Sequence, residues 1–103
     1  MTDIYKDVKV PIKVKLNHSF IISLESNPST GFEWFAKYDS KKINLKKPKE
    51  FVLDSGQLVG GSGCELFEFE AIGASETEIE MIYKRNWEKN PIKIEKFKIK
   101  TFD

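Results

Sequence analysis

Residues 66–83 read Leu66-Phe67-Glu68-Phe69-Glu70-Ala71-Ile72-Gly73-Ala74-Ser75-Glu76-Thr77-Glu78-Ile79-Glu80-Met81-Ile82-Tyr83. Phe67, Phe69 and Ala71 alternate with Glu68 and Glu70. After the small residues of Gly73-Ala74-Ser75, Ile79, Met81 and Tyr83 alternate with Glu78 and Glu80. A period of two places apolar side chains on one face of a strand and charged ones on the other. The stretch predicts two half-buried strands joined by a turn.

The same period runs outward in both directions. Val8, Val10, Ile12, Val14 and Leu16 alternate with Lys9, Pro11, Lys13 and Lys15, which predicts a first strand. Pro11 has no N–H to give a ladder, so that strand belongs at an edge or carries a bulge. Phe20, Ile22 and Leu24 predict a second strand. Phe32 to Tyr38 predicts a third, with Trp34 and Ala36 on one face and Phe35 on the other. Asp39 to Lys49 is polar and poorly patterned, and Phe51-Val52-Leu53 forms a short fourth strand. After residues 92–94 the apolar phase of the last strand shifts from Ile92 and Ile94 to Phe97 and Ile99. That shift predicts a bulge near Glu95-Lys96. Seven strands in about 100 residues, with regular turns and no long helical stripe, predict one all-β domain over residues 1–103. Its architecture is an immunoglobulin-like sandwich of two antiparallel sheets.

Composition excludes several classes. The chain has 103 residues, 40% hydrophobic and 32% charged, with eight Phe, three Tyr and two Trp. That suffices for one core. Seventeen basic against 16 acidic residues give a formal charge of +1, without the basic excess of a nucleic-acid binder. The pairs Lys41-Lys42 and Lys46-Lys47 read as guards on a strand edge. No apolar run approaches the ~18 residues of a membrane span. Cys64 is the only cysteine, so no internal disulfide forms, which fits a reducing compartment. The first seven residues show no apolar signal region, and a cytoplasmic location is expected. His18 is the only histidine. It falls at the turn between the first two strands, at the opposite end from the segment before Cys64, so no Cys/His pair is expected. No metal cluster or catalytic motif is present, and neither cofactor nor enzymatic activity is expected.

Strands in a sandwich run up and down alternately. The loops Ser26–Gly31, Asp54–Gly63 and Asn86–Pro91 therefore share one end. Each has a purely structural reading: Asn27-Pro28 starts a turn, Gly31 supplies positive φ, Gly60-Gly61 is a hairpin tip, and Trp87 is a core residue at a strand end. Arg85, the sole arginine among 17 basic residues, lies two residues from Trp87. Arg and Trp are frequent anchors of protein interfaces.

Asn27-Pro28-Ser29-Thr30-Gly31-Phe32-Glu33-Trp34 resembles the first loop of the chagasin family, which reads Asn-Pro-Thr-Thr-Gly-x-x-Trp. Gly60-Gly61-Ser62-Gly63-Cys64-Glu65 is similar to that family's Gly-x-Gly-Gly followed by Thr-Glu, with Ser62 and Cys64 as departures. Gly61-Ser62-Gly63-Cys64 is an alternative register. Arg85-Asn86-Trp87 resembles its Arg-Pro-Trp, with Asn86 in place of proline. The resemblance implies a reversible, tight-binding inhibitor of papain-like cysteine proteases. Asn27, Pro28, Ser29, Thr30, Gly31, Gly60, Gly61, Ser62, Gly63, Arg85, Asn86 and Trp87 would then contact the protease, with Thr30 nearest the nucleophile. An immunoglobulin-like interaction or adhesion domain without inhibitory activity is the alternative. The sequence does not set the oligomeric state, and a monomer is the favoured reading.

Overall fold

The computed structural model describes residues 3–53 and 63–103. Among them nine strands form two sheets: β1 (Asp3–Tyr5), β2 (Ile12–Lys15), β3 (Ser19–Ser26), β4 (Phe32–Lys37), β5 (Ile43–Leu45), β6 (Glu50–Leu53), β7 (Gly63–Ala71), β8 (Ser75–Arg85) and β9 (Lys93–Phe102). One sheet has the order β1-β3-β7-β5, with β6 also paired to β7. The other has the order β2-β9-β8-β4. A single turn of 3-10 helix, Pro28–Thr30, joins β3 to β4. Among the described residues no helix is long and apolar enough to cross a membrane.

The quoted stretch folds as its alternation dictates. Every second residue of β7 from Gly63 to Ala71 is buried, and Ile79 and Met81 of β8 are fully buried. Phe20, Ile22, Phe67, Phe69 and Ala71 from one sheet meet Ile12, Trp34, Ile79, Met81, Phe97 and Ile99 from the other in one core. Trp34 fills the sandwich at 3% exposure without a disulfide beside it.

The structure departs from the sequence-based expectation in four places. The predicted strand Val8–Leu16 shortens to β2, because Val8 to Val10 form a turn, and a strand that the alternation did not predict, β1, precedes it in the other sheet. Asp7 accepts from Lys9 N through its side chain and from Val10 N through its carbonyl, at 2.9 and 3.1 Å. This turn, with Pro11 after it, carries the chain across the sandwich from β1 to β2. Each sheet consequently contains a parallel pair, β1 with β3 and β2 with β9, and the sheets are mixed rather than purely antiparallel. β1 and β2 are both edge strands, and Pro11 lies in the connection between them, where it costs no ladder bond. Next, the polar stretch 39–49 contains β5, anchored by the fully buried Ile43. A three-residue strand is too short for its alternation to register.

The third departure is the absence of a bulge at Glu95-Lys96. The β8–β9 register is continuous from Ser75↔Thr101 to Tyr83↔Lys93. Ile92 and Ile94 instead face outward and are exposed. Ile94 pairs with Ile82, and Ile82 with Phe35, in an apolar row on the outer face. A change of face, not a change of register, produced the phase shift. Last, the strands number nine rather than seven. The lysine pair at 46–47 lies beside β7 and forms ion pairs with Glu68 and Glu50.

Phe69 is fully buried and packs against Phe20, Phe67 and Tyr38 at ring-centroid distances of 5.7, 6.1 and 5.5 Å. Phe69→Ala should cost about 3–5 kcal/mol, a large part of the ~5–15 kcal/mol that holds a domain of this size. A markedly lower urea midpoint is the expected result, and an unchanged midpoint would contradict this core.

Candidate functional site

Strand register decides which loops meet. Ser26, the last residue of β3, is the partner of Gly63, the first of β7, and Gly63 is also the partner of Leu53, the last of β6. Phe32, the first residue of β4, is the partner of Arg85, the last of β8. The β3–β4 loop, both flanks of the β6–β7 loop and the start of the β8–β9 loop are thereby brought to one end. Residues 54–62 lie outside the described residues, and with them Gly60, Gly61 and Ser62. Gly63 is described. It opens β7 and is buried, and a Cβ there would overlap the Val52 carbonyl oxygen. Only glycine allows β6 to approach so closely.

The β3–β4 loop is organised by Asn27. Its side-chain Oδ1 accepts from Ser29 N at 3.3 Å and Ser29 Oγ at 2.6 Å. Its carbonyl accepts from Thr30 N at 3.1 Å and Thr30 Oγ1 at 2.7 Å. Short polar side chains after Asn commonly close turns in this way. The Ser29 contact needs only a hydroxyl, so serine serves where the family motif has threonine. Ser29 and Thr30 remain exposed. Gly31 follows at φ +85°, in the left-handed region that favours glycine. A Cβ at Gly31 would lie 3.1 Å from the Trp87 ring, so loops one and three pack against each other here.

The β8–β9 loop begins as a tight turn, with Glu88 N donating to the Arg85 carbonyl at 3.1 Å. Asn86 takes the second position of this turn, a place proline favours, which accounts for the family's proline there. Arg85 Nε donates to the Thr30 carbonyl at 3.2 Å, and its Nη1 pairs with Glu88 at 3.3 Å. The guanidinium also lies 4.3 Å from the Phe32 ring centroid and 5.9 Å from that of Trp87. Arg85 is thus engaged within the molecule, where it joins loop one to loop three.

Those contacts extend inward as one stack. Phe32 lies 5.5 Å from Tyr83, and Tyr83 lies 4.7 Å from the buried Trp34. The Tyr83 hydroxyl accepts from Asn27 N at 3.4 Å. The row Trp34–Tyr83–Phe32–Arg85–Trp87 therefore runs from the core to a tip where Trp87 is 71% exposed. Trp87 is not a core residue. A cavity of about 360 Å³ lies beside this tip, lined by Gly31, Phe32, Phe51, Asn86 and Trp87 among others. Phe51, Val52 and Leu53 of β6 are exposed near it.

Phe32 and Tyr83 belong to the site although the loop motifs do not single them out, and Glu65 belongs to it although the sequence reading placed it only in the second motif and not among the contact residues. Phe32 and Tyr83 carry a visible signal, since each shares the strand phase of a site tryptophan or arginine. Glu65 carries one too: it falls on the buried phase of β7, where Glu68 and Glu70 do not. His18 and Cys64 are at opposite ends. His18 precedes β3, whereas Cys64 is the partner of Glu25 near the far end of that strand, roughly 20 Å away at the usual strand rise. Among the described residues no group of His, Cys, Asp and Glu could hold a metal ion.

Residues 13–101 match the model of the chagasin family of peptidase inhibitors, I42. The chain belongs to the chagasin family. Family membership makes it a protease inhibitor rather than an enzyme, and it decides against a non-inhibitory adhesion domain. The fold agrees with chagasin-like solved structures. The cysteine protease inhibitor EhICP2 from Entamoeba histolytica is similar at TM-score 0.80 and 20% identity, covering 98% of this chain and 97% of that one. Amebosin is similar at TM-score 0.80 and 18% identity, with 99% of each chain covered. PbICP-C, solved in complex with falcipain-2, is similar at TM-score 0.61 and 13% identity, covering 99% and 100%. A search of curated proteins by sequence finds no match.

Gly31→Ala tests the junction of loops one and three. A side chain at positive φ costs about 1–2 kcal/mol, and the added Cβ presses on Trp87. Lower stability by that amount, with a changed tryptophan fluorescence spectrum, is expected. Wild-type stability and spectrum would show that Gly31 does not hold this backbone.

Proposed function

We propose that this chagasin-family chain inhibits papain-like cysteine proteases by lodging the end of the sandwich reversibly in the active-site cleft. The carrying observation is that Trp87 stands exposed beside Gly31, braced through Arg85, Phe32 and Tyr83 onto the core. A large aromatic held rigidly in solvent loses little side-chain entropy on docking, which suits an interface anchor. The neighbour EhICP2 is a cysteine protease inhibitor, and PbICP-C was solved with falcipain-2. Both support a protease as the partner.

In this reading the β3–β4 loop covers the catalytic thiolate and imidazolium. Thr30 sits nearest the nucleophile, Gly31 allows close backbone approach, and Pro28 restricts φ before docking. Resistance to cleavage follows from the loop's shape. Pro28–Thr30 is a 3-10 turn closed by the Asn27 carbonyl. Attack needs an extended bond aligned with the thiolate, and a closed turn does not present one. The Thr30 carbonyl is moreover already engaged by Arg85. Gly60, Gly61, Ser62 and Gly63 would supply backbone groups that pair with the cleft. Asn86 and Trp87 would meet the opposite side, with Trp87 on an apolar wall.

Titrating papain with the purified chain tests the function directly. Stoichiometric loss of activity at nanomolar concentration is expected, and full activity at micromolar inhibitor would refute it. Trp87→Ala should raise the inhibition constant by ~30-fold or more, about 2 kcal/mol. An unchanged constant would remove loop three from the interface. Thr30→Ala and Thr30→Asp both delete the hydroxyl that donates to Asn27, and only the second adds a charge. Thr30→Ala should weaken inhibition by about fivefold, the worth of one hydrogen bond. Thr30→Asp should weaken it by at least ~10-fold more, through repulsion from the thiolate. Equal losses would mean that Thr30 does not face the nucleophile.

A further inference from the structure

We propose that Glu65 is a positioning residue, whose buried carboxylate fixes loop one, and the strands β6 and β7 that flank residues 54–62, in their binding arrangement. Its geometry stands independently, and its consequence for inhibition rests on the function proposed above. Glu65 is 3% exposed and points inward from β7. An apolar side chain there would avoid the cost of burying a charge. The carboxylate is instead fully employed. Its Oε2 accepts from Ser26 Oγ at 2.5 Å, and both oxygens face Trp34 N at 3.2 and 3.3 Å. Lys49 Nζ pairs with Oε1 at 3.0 Å.

These partners are the roots of the two loops. Ser26 ends β3 and Trp34 lies in β4, so Glu65 grips loop one on both sides. Glu65 itself lies two residues into β7, and Lys49 immediately precedes β6, so the ion pair spans the two strands that flank residues 54–62. Trp34 belongs to the opposite sheet from Ser26 and Glu65. β4 is an edge strand, and Glu65 takes the Trp34 N–H that faces away from β8. Lys49 reinforces the junction through Glu33 at 2.6 Å and the Trp34 carbonyl at 2.7 Å. One carboxylate therefore ties the sheets together directly beneath the binding end, a polar clamp that sets geometry where apolar packing would set only proximity.

The test separates geometry from stability. The double variant Lys49→Met with Glu65→Leu removes both charges without leaving either one unpaired, and it leaves Trp34 N and Ser26 Oγ without their acceptor, which lowers stability. Where its urea transition shows that it is fully folded in water, the variant should have an inhibition constant for papain raised ~10-fold, because the competent loop arrangement is less populated. Hydrogen exchange of the Thr30 amide, which donates to Asn27, should accelerate by a similar ~10-fold factor. A folded double variant with wild-type inhibition and wild-type Thr30 exchange would overturn the assignment. Should the double variant not fold, Ser26→Ala is measured in the same two ways. A raised constant with faster exchange then supports the clamp, and wild-type values of both overturn it. Should the wild-type chain leave papain active, the proposed function falls, and the exchange measurement alone decides Glu65.

Discussion

Strand register at one end of the sandwich is the constraint on which the other features depend. Ser26 opposite Gly63, Gly63 opposite Leu53, and Phe32 opposite Arg85 set the starting points of the loops to within one residue. A slip of one residue in any pair would turn every side chain of that strand to the other face. Trp34 would leave the core and Arg85 would leave Thr30. The register is held by burial: the alternating inward residues of β7 and β8 have no acceptable alternative phase while Glu68, Glu70, Glu78 and Glu80 occupy the other face.

On that register rests a gradient of chemistry from core to tip. At the bottom, apolar packing around Phe69 and Trp34 is non-directional and supplies stability. Above it, the Tyr83–Phe32–Arg85 stack and the Glu65 clamp are directional and fix orientation. At the top, Asn27, Ser29 and Thr30 satisfy one another locally and leave their outer surfaces, with Trp87, to solvent. Such an order suits inhibition. A binding edge that is rigid before docking loses little entropy on association, and a closed turn resists the protease it blocks.

The loops' departures from the family motif are physically mild where the structure describes them. Ser29 keeps the hydroxyl that reaches Asn27. Asn86 adopts the turn position of the missing proline and gives up only that ring's restriction of φ. Internal bracing by Arg85 partly compensates, because the turn is also held from Arg85 to Thr30 and from Arg85 to Glu88.

Much of this was legible in sequence because period-two alternation is a local property. It identified β3, β4, β7 and β8, the sandwich, and the end at which Asn27–Gly31 and Arg85–Trp87 lie. It failed where a local pattern has more than one spatial meaning. Val8 to Leu16 alternate without interruption, yet Val8 to Val10 lie in the turn closed by Asp7 and only Ile12–Lys15 joins a sheet. Ile92 and Ile94 were out of phase with Phe97 because they face outward beside Ile82, which no single strand can reveal. The sequence alone determined which residues are apolar, which face of each strand is buried and which loops carry Gly, Pro, Arg and Trp. Only the tertiary structure decided that Arg85 turns inward to Thr30, that Trp87 remains in solvent, and that Glu65 joins Ser26, Trp34 and Lys49. Those contacts link residues between 16 and 55 positions apart, and chain separation carries no information about distance once strands from two sheets are packed face to face.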